Sequence, residues 1–400
     1  MARRVPDLTA AEAAARLGIK PESLYAYVSR GLLTRRRDAN GSWFDPLEIE
    51  EFARRRRPAA QPVRSAGTPL MSIEHDIALL EDDRLSFRGR DADELADSTS
   101  YEAVCWWLWT RDWSPGREFG ASIGGLAAAA ALADALPVSM TLRERMQVLV
   151  PVLAATDPLR HDLSPASVAR MGTEIIAGAV DGLPARSPVD GPRLADRLWS
   201  RLSAGQRSED HRSLLNAALV LLVDHDLAAS TLAVRAAASA RAHPYAVVCC
   251  GLGALDSALH GNAGRYAYAM LADRLAGRPA TESVAAAVST YGRVPGFGHR
   301  VYRTSDPRWV HLIDRLRALD PETPVLAAAD ELVATVRERI SIFPNIDLAL
   351  AVLAHALGWE PEAPELVFAV ARCGGWIAHA LGEYAEPPLR LRPEGRYVGP

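Results

Sequence analysis

The sequence predicts a mainly all-α protein of more than one domain, and three observations lead there. From about residue 90 onward the chain is dominated by Ala- and Leu-rich stretches broken by Pro and Gly, without alternating strand-like and helix-like segments. That pattern argues against doubly wound and barrel folds. At 400 residues the chain exceeds one typical compact domain, and 49% apolar against 24% charged residues can bury a large core without disulfides. Charge is uneven: residues 1–65 hold 13 Lys or Arg against 8 Asp or Glu, so an overall −4 less a local +5 leaves −9 for the rest. The asymmetry marks residues 1–57 as a separate module, followed by a Pro-, Ala- and Gly-rich linker at 58–70 and a main body at 71–400.

Within the module, LTAAEAAARLGIKPESLYAYVSRGLL from Leu8 reads as two helices joined by a tight turn. Thr9 caps the first and Glu12 completes a capping box, while Ala11, Ala14, Ala15 and Leu17 supply its apolar face. Gly18 ends that helix and Pro21 opens the next, where Leu24, Tyr25 and Val28 recur at helical spacing. Thr34–Phe44, with Arg35, Arg36 and Arg37, reads as a basic wing, and Pro46–Arg57 as a third helix. The arrangement resembles the winged helix-turn-helix of MerR and excisionase-like domains. That resemblance implies DNA binding through residues 8–57, the second helix in a major groove and the wing on phosphates. A small oligomerisation or accessory domain with solvated arginines is the other reading.

Next come a short strand pair around Ile77–Phe87 and then helices. Trp106, Trp107 and Trp109 sit at near-helical spacing and read as core. Ala121–Met140 is the most lipid-like run, but Asp134 interrupts it, so a buried helix rather than a membrane span is expected. The polar N-terminus lacks a signal-peptide core, and Cys105, Cys249, Cys250 and Cys373 show no redox or metal spacing, with Cys249 and Cys250 reading as buried hydrophobes. A cytoplasmic protein without membrane, metal or nucleotide-loop signals is the expectation.

The chemistry concentrates in VPGFGHRVYRTSDPR, Val294–Arg308. Pro295, Gly296 and Gly298 break helix and let backbone approach a ligand, and His299 exchanges protons near neutral pH. A helix starting after His299 would put Arg303 on its face, and Arg308 would fork onto a carboxylate or phosphate. Around this segment lie DHDLAAST (Asp224–Thr231), DSALHGNAG (Asp256–Gly264), FPNIDLALA (Phe343–Ala351), FAVARCGGWIAH (Phe368–His379) and RLRPEGRYVG (Arg390–Gly399). In this order and spacing they resemble the citrate synthase family, which includes the 2-methylcitrate synthases, over roughly residues 68–400.

The resemblance implies a citrate synthase-like fold of large and small helical domains, with a mobile small part at roughly 262–357. It implies condensation of acetyl-CoA or propionyl-CoA with oxaloacetate, giving citrate or 2-methylcitrate and CoA. The CoA thioester is a co-substrate, and no permanently bound cofactor or metal is needed. Asp347 becomes the base, His260 the donor to the thioester oxygen and His299 the donor to the ketone oxygen. His225, Arg308 and Arg372 bind the dianion with Phe368 beside it. Arg392 reaches a partner's site in an obligate homodimer. Arg303 takes a phosphate of CoA, with Gly296 and Gly298 along the same side. A DNA-binding regulator that senses CoA esters or oxaloacetate without turnover is the rival reading.

Several positions depart from the family pattern. Where GPLHGGANE is usual this chain reads SALHGNAGR, with Ala258, Asn262, Gly264 and Arg265 altered, and Leu348 stands where Phe is common. The smaller Leu348 is expected to widen the pocket beside the acyl methyl and admit propionyl groups.

Overall fold

The computed structural model describes residues 7–38, 41–56, 72–205, 208–257, 261, 263–392, 394 and 396–399. The predicted linker at 58–70 lies outside them, as do His260, Ala258 and Asn262. Eighteen helices and six short strands make up the described residues, so the protein is mostly helical, as its composition predicts. The chain forms two compact units, one of residues 1–74, 263–309 and 320–356, the other of residues 75–262, 310–319 and 357–400.

In the first unit, the N-terminal residues form helices Ala10–Leu17, Pro21–Ser29 and Pro46–Arg56. A three-stranded antiparallel sheet places Gly41–Phe44 between Leu8–Thr9 and Arg36–Asp38. The punctuation read from sequence is all there. Thr9 Oγ1 accepts from the Glu12 amide and Glu12 returns the bond to the Thr9 amide, Gly18 closes the helix at φ +62°, and Pro21 sits in the first turn of the next.

The helical faces differ from the expected ones. Ala13 and Ala14 are buried where Ala11 and Ala15 are exposed, and Tyr27, rather than Tyr25, joins Leu24 and Val28 against the core of Leu8, Phe44 and Ile49. Leu24 fixes the helix phase, and positions three and four residues on share its face while the next residue is about 100° round. Helices Ala263–Leu275, Ala280–Tyr291, Pro324–Ile340 and Ile346–Ala356 complete the unit. Helix Pro46–Arg56 packs against Ala280–Tyr291 and Pro324–Ile340. Three polar contacts reinforce the packing: Arg16 donates to the Ser289 carbonyl (2.7 Å), Arg54 to the Ser341 carbonyl (3.4 Å), and Arg339 pairs with Asp45 (3.2 Å).

The second unit opens with the predicted strand pair, Ala78–Glu81 against Arg84–Phe87, turning at Asp82 and Asp83 with φ +51° and +56°. Its centre is the 22-residue helix Ala363–Tyr384, which packs against helices Tyr101–Thr110, Pro165–Asp181, Glu209–Leu222, Ala229–Ser239 and Pro244–Leu255. Gly251 permits one of these approaches, since a Cβ there would stand 2.7 Å from the Trp376 ring. Trp107 and Trp109 are core residues, as expected, while Trp106 is half-buried beneath the Arg117 guanidinium.

Two expectations fail here. The Ala121–Met140 run is helical only over Ile123–Ala133 and mostly exposed, Ile123 at 89%. Only Gly125 and Ala129 of that helix are buried. Cys250 is exposed and Cys249 half-buried rather than buried, and the four cysteines are unpaired thiols. Among the described residues no helix is long and apolar enough to cross a membrane.

Candidate active site

In the first unit, the Gly-rich bend and the segment before helix Ile346–Ala356 are laced together. The Gly298 amide donates to the Phe343 carbonyl (2.7 Å), the Asn345 amide to the Gly296 carbonyl (2.9 Å), and Asn345 Nδ2 to the Gly298 carbonyl (2.8 Å), while Phe297 bridges Pro344. Gly296 (φ +78°) and Gly298 (φ +75°) make the bend, and a Cβ on Gly296 would lie 2.7 Å from that of Leu348. His299 and Asp347 therefore follow directly on hydrogen-bonded neighbours. Asp347 lies in the first turn of the helix, its amide donating to Asn345 Oδ1 at 3.0 Å.

His299 is half-buried, and its Nδ1 accepts from the amides of Val301 and Tyr302, each at 3.0 Å. An imidazole nitrogen that accepts two N–H groups carries no proton, so in the neutral ring the proton is on Nε2. The predicted helix after His299 does not form: the chain stays irregular until Pro307, because those amides turn back onto the ring instead of entering a helical ladder. Arg303 is exposed on this stretch.

Arg308 is 2% exposed and pairs side-on with Asp306, Nε to Oδ1 at 2.9 Å and Nη2 to Oδ2 at 2.8 Å. Asp306 also accepts from the amides of Arg308 and Ile346, tying the loop to the helix that carries Asp347. Burial by itself would raise the Asp306 carboxyl, but the adjacent Arg308 charge outweighs it and holds the carboxyl below its usual range. Burial would likewise lower Arg308, and the Asp306 charge, with smaller help from Tyr302 and Asp347, keeps it raised. Leu348 is wholly buried, packed against Gly296.

In the second unit one face of helix Ala363–Tyr384 grips the segment Leu222–Asp226. Arg372 Nε donates to the Leu222 carbonyl (2.9 Å) and the Gly375 amide to the Val223 carbonyl (2.9 Å); His379 Nε2 meets the Asp224 carboxylate at 3.2 and 3.3 Å. A Cβ on Gly375 would come within 2.4 Å of the Val223 carbonyl oxygen. Phe368, one turn before Arg372, lies 4.7 Å beneath its guanidinium.

His225 is half-buried between Asp224 and Asp226. Asp226 adopts φ +59°, donates its amide to Asp224 Oδ2 (3.1 Å) and receives His75 Nε2 at 2.7 Å, a bond that lowers its carboxyl pKa. Arg392 is exposed on the C-terminal segment, which Leu389 anchors through its amide to the Ser239 carbonyl (2.8 Å). Among the described residues no cluster of His, Cys, Asp or Glu could hold a metal ion.

Sequence reading did not single out Asp224, Asp306, Asn345, His75 or His379. A local signal existed for three of them: DHD, DPR and NID each put an Asx residue two positions before another polar residue, the spacing of an Asx-turn, which reaches the candidates Arg308 and Asp347 but passes over His225 to Asp226.

Residues 67–394 match the family description "Citrate synthase, C-terminal domain". The chain belongs to the citrate synthase family. Among its relatives, citrate synthase of Haloferax volcanii is 30% identical over 357 residues, spanning 82% of this chain and 94% of its own. The 2-methylcitrate synthase 1 of Corynebacterium glutamicum is 25% identical over 358 residues, spanning 80% and 90%. The crystal structure of citrate synthase from Thermotoga maritima superposes with a TM-score of 0.65 at 26% identity, covering 83% of this chain and 94% of that one. Citrate synthase from Thermoplasma acidophilum, solved as a ternary complex with carboxymethyl coenzyme A and oxaloacetate, shares the fold with a TM-score of 0.68 at 22% identity, covering 82% and 94%. The citrate synthase family match begins beyond the N-terminal helices and three-stranded sheet.

Proposed function

We propose that this protein is a citrate synthase-type acyltransferase. It condenses acetyl-CoA or propionyl-CoA with oxaloacetate and releases citrate or 2-methylcitrate and CoA. The observation that carries the reading is His299: with Nδ1 occupied by two amides, its neutral ring offers an Nε2–H donor, which suits a ketone oxygen gaining negative charge. Asp347 takes a proton from the carbon beside the thioester carbonyl while His260 donates to the thioester oxygen. The resulting enolate carbon attacks the oxaloacetate ketone, and His299 passes its Nε2 proton to the new alkoxide. Water then cleaves the C–S bond, giving a carboxylate and free CoA thiol.

His225, Arg308 and Arg372 take the two carboxylates of oxaloacetate, with Phe368 beside them. Arg308 comes with its orientation set by Asp306. Arg303 binds a phosphate of CoA, and Gly296 and Gly298 let the thioester run close to backbone. Arg392 acts in the site of a second subunit, which makes the working form a homodimer. Residues roughly 262–357 move as the smaller, closing part. CoA is a co-substrate, no bound metal or resident cofactor takes part, and the enzyme works in the cytoplasm.

The N-terminal module is a winged helix-turn-helix of the MerR type that contacts DNA through residues 8–57. Two helices joined at Gly18 and an exposed wing with Arg35, Arg36 and Arg37 support this. The reading as a non-catalytic regulator draws nothing from relatives that carry the names of enzymes.

With oxaloacetate and either thioester, the purified protein should release CoA thiol, and Asp347→Ala should lower the rate by about 10²–10⁴-fold. Release that ignores oxaloacetate, or survives the substitution, contradicts the reading.

A further inference from the structure

A run of buried polar side chains in the second unit ends at the loop that carries His225. Arg390 forks onto Glu383, Nε to Oε1 at 2.9 Å and Nη2 to Oε2 at 2.7 Å. Arg235 meets the same carboxylate, Nη2 to Oε2 at 2.9 Å, and turns Nη1 towards His379 Nδ1 at 3.2 Å. On the other edge of that ring, Nε2 faces Asp224, whose carboxylate also caps the Asp226 amide. Asp226 is in turn held by His75, whose ring meets that of His379 edge-on at 5.0 Å.

The chemistry of these partners fixes the state of His379. Arg235 has only donors, so Nδ1 must accept, and the proton must be on Nε2, where it bonds Asp224. A doubly protonated ring would set a donor against the guanidinium. His379 is therefore a neutral relay between a cation and a carboxylate, while Arg235, Glu383 and Asp224 are themselves fully or almost fully buried. Burying such a set is costly, and apolar residues of like volume often stabilise a core as well. What this set provides and an apolar one cannot is a fixed carboxylate at Asp224. With its carboxylate held from both sides and Asp226 kept at φ +59°, the peptide of His225 is clamped at both ends.

We propose that His379 is a positioning residue for oxaloacetate recognition, acting through Asp224 to fix the loop that presents His225. The inference deepens the proposed function and rests on it. A loose His225 weakens binding of the dianion in ground and transition states alike, which appears in KM for oxaloacetate rather than in kcat.

The test is steady-state kinetics on the full-length protein with both substrates varied, alongside thermal unfolding. His379→Leu should raise KM for oxaloacetate by about tenfold or more while KM for the thioester and kcat stay within about threefold. His379→Gln, whose amide N–H reaches the place of Nε2–H, should recover most of the loss. Equal oxaloacetate KM in wild type and His379→Leu overturns the proposal, whatever the change in melting temperature, and so does a Gln variant as impaired as Leu. If the Leu variant does not fold, Asp224→Ala gives the same readout, since the bonds to His379 Nε2 and to the Asp226 amide are both lost: a raised oxaloacetate KM supports the proposal and an unchanged one overturns it. Wild-type protein that releases no thiol marks failure of the condensation reading itself, and this inference falls with it. Wild-type turnover with variants unchanged marks failure of the inference alone.

Discussion

Asp224, Asp306 and Asn345 do the same job at three separate places. Each accepts the amide two residues on, at 3.1, 3.1 and 3.0 Å, and so aims Asp226, Arg308 and Asp347 respectively. The bond replaces one the backbone would otherwise make in a helix, which is why these side chains sit at bends or helix starts. Asp306 carries the largest energetic stake, because it also neutralises a buried guanidinium. Asp306→Asn leaves Arg308 buried without its counter-charge and should lower unfolding stability by about 3–5 kcal/mol, read as a fall in the urea midpoint. The pH dependence has a definite sign. Because the folded Asp306 carboxyl is held below its ordinary value, its contribution is complete above about pH 4 and fades as pH falls through the depressed value. The wild-type advantage over Asp306→Asn should therefore shrink below that range; an advantage that grows on acidification contradicts the pairing.

At the level of elements, the helix Ala363–Tyr384 holds the segment Leu222–Asp226 of its unit through Arg372, Gly375 and His379, spaced three and four residues apart on one face. Gly375 is the tightest point, and Gly375→Ala must push the Leu222–Asp226 segment away. That change should cost about 1–3 kcal/mol of stability and raise KM for oxaloacetate; a variant with wild-type midpoint and wild-type KM shows the approach to be looser than drawn. Much of the helix punctuation is legible in the sequence. Thr9 with Glu12, Gly18 and Pro21 announce their helix ends because capping is local chemistry within four residues. The buried face is less legible, as Tyr25 and Tyr27 show, because phase is decided by the core a helix meets. His379 can be read only as the end of a motif, since its partners Asp224 and Arg235 lie 155 and 144 residues away.

For the whole molecule, motif order along the chain is enough to identify the family, while the reach of the N-terminal helices and sheet is not legible. Their charge marks them as separate, yet they share a compact unit with residues 263–309 and 320–356, through bonds such as that of Arg16 with the Ser289 carbonyl, which no local pattern encodes. If this module grips DNA, the full-length protein should bind duplexes with an affinity that falls steeply with salt. Arg35→Ala with Arg37→Ala should flatten the log–log salt slope by about 0.9 for each phosphate that is no longer neutralised; binding that is absent at low salt, or indifferent to both arginines, removes DNA as a partner. The central claim is that a carbon–carbon bond forms between a thioester methyl or methylene carbon and the ketone of oxaloacetate. Its most direct test follows the label from methyl-¹³C acetyl-CoA by NMR, with oxaloacetate and the purified protein. The account predicts labelled carbon in a methylene of citrate as CoA appears, and label recovered only as acetate, or left in the thioester, would contradict it.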